Sequence, residues 1–211
     1  MKKITIVIAS FIIVIVVAAI ALNRSTDISK NTEGITELPQ AHGKEYLVNR
    51  GKYLVSIMGC NDCHSPKMIK PGQQEPEVDP ARMLSGHPAT VTVADVDTRY
   101  IKDWVYLNHN MTAAIGPWGI SYAANITSDE TGIGSWTEEQ FIKCIREGKH
   151  KGMDNTRPLL PPMPWQKYAQ ATDEDLRAIF YYLRSTPPVN NVVPVPEPLH
   201  KVGYVERGEL H

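Results

Sequence analysis

Cys60-Asn61-Asp62-Cys63-His64 constrains this chain more than any other segment. Two thiols separated by two residues, with an imidazole straight after, have the spacing of a c-type haem attachment site. Each thiol can add across one vinyl group of a porphyrin, giving two thioether bonds. The short loop then presents His64 beneath the iron as an axial ligand. Competing readings are a thioredoxin-type dithiol, half of a zinc site, or chance. A dithiol wants a strand before Cys60, and the pattern shows none. A tetrahedral zinc site wants a second ligand pair, and the chain has only three cysteines.

An iron held by His64 has a sixth position to fill, and the candidates are methionine and histidine. Met163 lies in Leu159-Leu160-Pro161-Pro162-Met163-Pro164-Trp165. Prolines fix φ there and reduce the freedom lost when a weak thioether ligand binds. Met153 reads as a loop residue, Met58 as core, and Met83 and Met111 fall in a poorly patterned region. His87, His109 and His150 have polar neighbours and read as solvated surface residues rather than ligands. Cys144 shares the apolar face of a helix with Phe141 and reads as a buried small hydrophobe. Trp118, Tyr122, Trp136, Trp165 and Tyr168 cluster around these motifs, and some of them should wall the haem.

A formal net charge of −1 and the lack of any basic run argue against nucleic-acid binding. Three cysteines are too few for a disulfide framework. Met1-Lys2-Lys3 precedes an uncharged, mostly apolar run from Ile4 to Leu22. That run exceeds the about 7–15 residues of a signal-peptide core and nearly spans the roughly 30 Å of a bilayer's hydrocarbon. It predicts a single transmembrane anchor over 1–22, with the two lysines in the cytoplasm and the rest outside. A cleaved signal at Ala19-Ile20-Ala21 is the alternative and leaves a soluble periplasmic protein.

Residues 23–43 are polar and read as a linker. A helix is expected from about Lys44 to the haem motif, on the spacing of Tyr46, Leu47, Tyr53, Leu54 and Ile57, ending at Met58-Gly59. Gly51 within it costs about 1 kcal/mol against Ala and suggests the close approach of another helix. Between 65 and 124 the pattern is weak. Pro66 to Pro80 reads as loop, Val91, Val93 and Val96 as a short extended piece, and Tyr100 to Leu107 as one or two helical turns. Gly116-Pro117-Trp118-Gly119 reads as a turn. Thr137 and Gln140 form a capping-box signature opening a helix that stops at Gly148. Thr172 caps a last helix with Leu176, Ile179, Phe180 and Leu183 along one face, ended by Pro187-Pro188. From 191 to 211 the chain reads as an extended surface tail.

These segments resemble the class I-type mono-haem cytochromes c. In particular they resemble the cytochrome c domains of alcohol, aldehyde and gluconate dehydrogenase cytochrome subunits. The likeness is carried by Gly51-Lys52-Tyr53-Leu54 leading into the haem motif, by Asn125-Ile126-Thr127-Ser128-Asp129 through Thr131-Gly132-Ile133-Gly134 to Trp136-Thr137, by Arg146-Glu147-Gly148, and by Pro162-Met163-Pro164-Trp165 with Tyr168 and the last helix. The resemblance implies an all-α cytochrome c fold over 44–190, with the first and last helices crossing, in addition to the N-terminal transmembrane helix. It implies one covalent haem c, Cys60 and Cys63 as thioether sites, and His64 and Met163 as iron ligands. Covalent haem attachment in this family occurs outside the bacterial cytoplasm, so the domain is expected on the periplasmic side of the inner membrane. The resulting expectation is a one-electron carrier, not itself an enzyme, exchanging electrons with a dehydrogenase donor or an oxidase acceptor. Two alternatives accompany it: a haem enzyme or sensor with an open sixth position, and a fixed subunit of a dehydrogenase or oxidase complex. Those relatives carry several haem domains in tandem, whereas this chain has one motif and a longer 65–124 stretch.

Overall fold

The computed structural model describes residues 43–94, 101 and 103–199, all within the compact unit Gly43–His211. Helix α1 (Lys44–Ile57) starts where a helix was expected and turns Gly51, Leu54 and Val55 inward. Tyr46, Tyr53 and Ile57, also part of the predicted stripe, remain exposed. Gly59, at φ 70°, breaks the chain into the short α2 (Cys60–His64). Only glycine takes this left-handed turn without strain. Helix α3 (Glu138–Glu147) carries the complete capping box. Gln140 N donates to Thr137 Oγ1 at 3.2 Å, and Thr137 N donates to Gln140 Oε1 at 2.9 Å. After a single turn, α4 (Trp165–Tyr168), comes α5 (Asp173–Ser185). Its N-terminal N–H of Asp175 is capped by Thr172 Oγ1 at 3.1 Å.

Helices α1 and α5 share the most extensive contact of any two elements among the described residues. Gly51 is the reason: a β-carbon there would stand 2.7 Å from Tyr182 Cβ and inside the Ala178 backbone. Arg50 ties the pair from outside with a 2.9 Å bond to Asp175. The core between them holds Leu54, Val55, Leu176, Ile179, Phe180 and Leu183, extended by Phe141 and Ile145 of α3. Each such aliphatic or aromatic side chain contributes about 1.5–3 kcal/mol on burial. Phe141 and Phe180 stack tilted, with ring centroids 5.6 Å apart.

The all-α class expected from the sequence is incorrect: the fold is mixed, with two antiparallel sheets among the described residues. In the first, β1 (Lys67–Met68) pairs with β2 (Glu77–Val78), where only loop was expected. In the second, β3 (Tyr106–Leu107), β4 (Ala113–Gly116) and β5 (Gly119–Tyr122) run in that order. The predicted turn at Gly116–Gly119 is the hairpin between β4 and β5. The helical turns expected up to Leu107 are replaced at their end by β3. Strand β4 is buried on both faces, so it lacks the polar alternation that reveals half-exposed strands. Ile101, Ile115 and Ile120 form its small separate core. The transmembrane helix expected over Ile4–Leu22 lies outside the described residues, as does Val96. Among the described residues no helix is long and apolar enough to cross a membrane.

Candidate functional site

The sheets and helices leave a largely apolar cavity, about 850 Å3 with the open solvent at its mouth included. Cys60, Cys63, His64 and Met163, the first and last of them just over a hundred residues apart in the chain, all line it.

The thiol side is held from several directions. Gly86 N donates to His64 O at 2.8 Å, and Leu84 N donates to Ser65 Oγ at 2.9 Å. Lys67 Nζ donates to the carbonyls of Asn61, Asp62 and Ser65 at 3.2, 2.9 and 2.7 Å. These carbonyls end the short helix, where a cation is favoured. Burial pushes the Cys60 thiol up to about 11 and raises Cys63 as well, so both are protonated near neutrality. His64 Nδ1 lies 2.7 Å from the carbonyl oxygen of Ala124. A carbonyl only accepts, so Nδ1 bears the proton and Nε2 keeps a free lone pair. Burial holds this imidazole below its usual range, which keeps it neutral and competent to ligate.

The methionine side is built from the proline-rich loop. Leu159 N donates to Gly148 O at 2.7 Å, and Ser121 Oγ donates to Pro161 O at 2.6 Å. Trp165 lies against Gly148, where a β-carbon would meet the indole at 2.4 Å. Met163 is partly buried against the main core. Tyr168 Oη donates to Met58 O at 2.8 Å, joining this loop to the end of α1 beside the thiols.

This donor set fits a covalently held haem: two thiols, a neutral imidazole with a defined free nitrogen, and a thioether around one apolar cavity. A zinc reading finds no support, because no cluster of three or more His, Cys, Asp or Glu residues suits a metal ion among the described residues. Of the expected aromatic wall, Tyr122 and Tyr168 line the cavity, whereas Trp118, Trp136 and Trp165 do not. Met111 lines it too, with φ 60°. Met153 is exposed, Met58 packs on the core, and Cys144 is buried, each as expected. His109 is exposed.

His87 departs from expectation. It is fully buried, not a surface residue. Its Nε2 donates to Val91 O at 3.0 Å, so Nδ1 accepts from Thr112 Oγ1 at 2.9 Å. His150 is also drawn inward and lines the cavity. Three further residues gave no sequence signal: Ala124, because it acts through its carbonyl; Lys67, because a lone lysine is unremarkable in sequence; and Asn191, in the tail. Asn191 Nδ2 donates to the carbonyls of Ser85 and His87 at 2.7 and 2.9 Å, and its Oδ1 accepts from Ala89 N at 2.9 Å. Glu197 then bridges to Ile120 of β5, and Pro196 reaches the cavity.

No protein-family model matches the chain. Curated relatives do. The gluconate 2-dehydrogenase cytochrome c subunit of Pantoea cypripedii is 30% identical over 173 residues, covering 80% of this chain and 30% of that subunit. The cytochrome c subunit of the quinone alcohol dehydrogenase of Gluconobacter oxydans is 37% identical over 69% of this chain and 23% of its own length. The fructose dehydrogenase cytochrome subunit of Gluconobacter japonicus is 37% identical over 42% of this chain and 17% of its own. The chain thus spans less than a third of the length of each of these relatives. By sequence it is a relative of the cytochrome c subunits of gluconate, alcohol and fructose dehydrogenases, as its motifs imply.

Proposed function

We propose that this domain is a one-electron carrier built around one covalent haem c, with Cys60 and Cys63 as thioether sites and His64 and Met163 as axial ligands. The observation that carries the reading is the convergence of these four side chains on one apolar cavity. When bound, the haem supplies reversible one-electron iron chemistry. The chain's own residues do the rest. Ala124 O holds the His64 ring in one tautomer and orientation. The Ser121–Pro161 and Trp165–Gly148 contacts hold the Met163 loop against the cavity. Tyr122, Tyr168 and the apolar wall exclude water, so little has to reorganise when the charge changes. Filling both axial positions leaves no place for a substrate. A thioether ligand also favours a high reduction potential.

The names of the relatives support a dehydrogenase as the electron donor. Because haem is attached to such motifs outside the bacterial cytoplasm, we place the domain on the periplasmic side.

The test is the absorption spectrum of the reduced, exported protein before and after carbon monoxide. An unchanged spectrum is expected. Rapid and complete carbon monoxide binding overturns the carrier reading and favours a haem enzyme or sensor. Met163→Ala should open the site to carbon monoxide and lower the potential by on the order of 0.1 V, within the roughly 0.8 V that axial ligands command. Met111→Ala, at the same cavity, should do neither.

A further inference from the structure

Polar donors on the cavity wall are nearly all committed to the protein itself. Ser121 Oγ donates to Pro161 O, Tyr168 Oη to Met58 O, and Tyr122 Oη to Glu197 Oε1 at 3.1 Å. Thr112 Oγ1 donates to His87 Nδ1. Arg157 is the exception. It is the sole formally charged side chain lining the cavity among the described residues. One of its N–H groups reaches Pro158 O at 3.0 Å, and no carboxylate pairs with it among the described residues.

The backbone at Arg157 is held, and its side chain lines the cavity from an exposed position. His150 N donates to Arg157 O at 3.0 Å, beside the antiparallel bridge between Lys149 and Pro158. His150 also lines the cavity, and no hydrogen bond to its ring is found among the described residues. An apolar chamber therefore carries one localised patch of unused donors, on the segment that leads into the Met163 loop.

We propose that Arg157, assisted by His150, is the docking point for a carboxylate of the bound cofactor, and that it sets the cofactor's orientation and potential. This rests on the haem reading above: a haem carries two carboxylates, and a planar guanidinium pairs with a carboxylate through two parallel hydrogen bonds. In such a pair the guanidinium offsets the negative charge that the carboxylate places near the iron, which favours the reduced form.

The test is a redox titration of the full-length haem-loaded protein and its variants, with covalent haem staining of each on a denaturing gel. Arg157→Leu should keep its haem but shift the reduced-to-oxidised ratio at fixed poise at least threefold toward oxidised, where tenfold corresponds to 59 mV for one electron. Arg157→Lys should recover at least half of that shift. Lys149→Gln removes a neighbouring cation that does not line the cavity and should leave the ratio within twofold of the parent. An Arg157→Leu titration indistinguishable from that of Lys149→Gln overturns the assignment. A parent chain without covalent haem instead overturns the haem reading, and the assignment with it.

Discussion

The carbonyl oxygen of Ala178 on α5 stands 2.0 Å from where a β-carbon on Gly51 of α1 would lie. The crossing of the first and last helices therefore depends on the absence of a side chain. In an isolated helix, Gly51→Ala gains about 1 kcal/mol. Here the added methyl has to push two backbones apart, and overpacking costs about 1–3 kcal/mol or more. With a net cost of about 1–2 kcal/mol, the variant should melt about 2–8 °C lower. A rise in melting temperature would show that the helices do not pack this closely.

Lys67 holds the end of the haem-motif helix through three carbonyls. Hydrogen bonds from a charged donor contribute more than neutral ones. Lys67→Met should destabilise the protein by about 2 kcal/mol in urea unfolding, with slower haem incorporation because the Cys60–His64 turn is less well held. Unaltered unfolding would mean water replaces the ammonium at no cost.

Asn191 fastens the tail to the 85–89 segment through three side-chain hydrogen bonds. At about 1 kcal/mol each, Asn191→Ala should cost about 2–3 kcal/mol. Faster amide exchange should appear at Ala89, whose N–H loses its acceptor, and at Ile120 and Glu197, which bond each other further along the tail. Exchange altered at Ala89 alone would show that the tail stays seated without this clamp.

Arg82 beside Asp79, together with the Ala81 N–H, holds the Asp79 carboxyl below its ordinary range. The folded state thus binds this proton less readily than the unfolded chain. Its contribution is fully present above the unfolded value of about 3.9 and is lost as pH falls through the folded one. Asp79→Asn should lower the unfolding free energy at pH 7 and flatten its dependence on pH below about 4, so that the two proteins converge in acid. Equal acid sensitivity in both proteins would assign that dependence to other carboxylates.

Local chemistry made much of this protein legible in sequence. The haem motif, the Thr137–Gln140 box, the Thr172 cap and the Gly148 stop all depend on residues a few positions apart, so spacing alone reveals them. Gly51 was legible too, since a glycine within an apolar helical stripe is costly unless something packs against it. The sheets were not legible. Strands of two residues carry no period, and β4, buried throughout, does not alternate. His87 was misplaced because its polar neighbours in sequence are not its neighbours in space: the partners that let it be buried, Thr112 and Val91, arrive with the sheet and the loop.

Sequence by itself determined the chemistry on offer: two thiols and an imidazole at fixed spacing, a methionine in a proline-rich loop, and three capped or glycine-broken helices. Only the tertiary structure decided that these groups face one cavity. It also decided that the Ala124 carbonyl selects the His64 tautomer and that Arg157 presents unpaired donors to the same space. The reason is physical. Motifs and caps are satisfied within a turn or two of chain, whereas a carbonyl acceptor sixty residues away or an uncommitted cation exists only once distant backbones have packed.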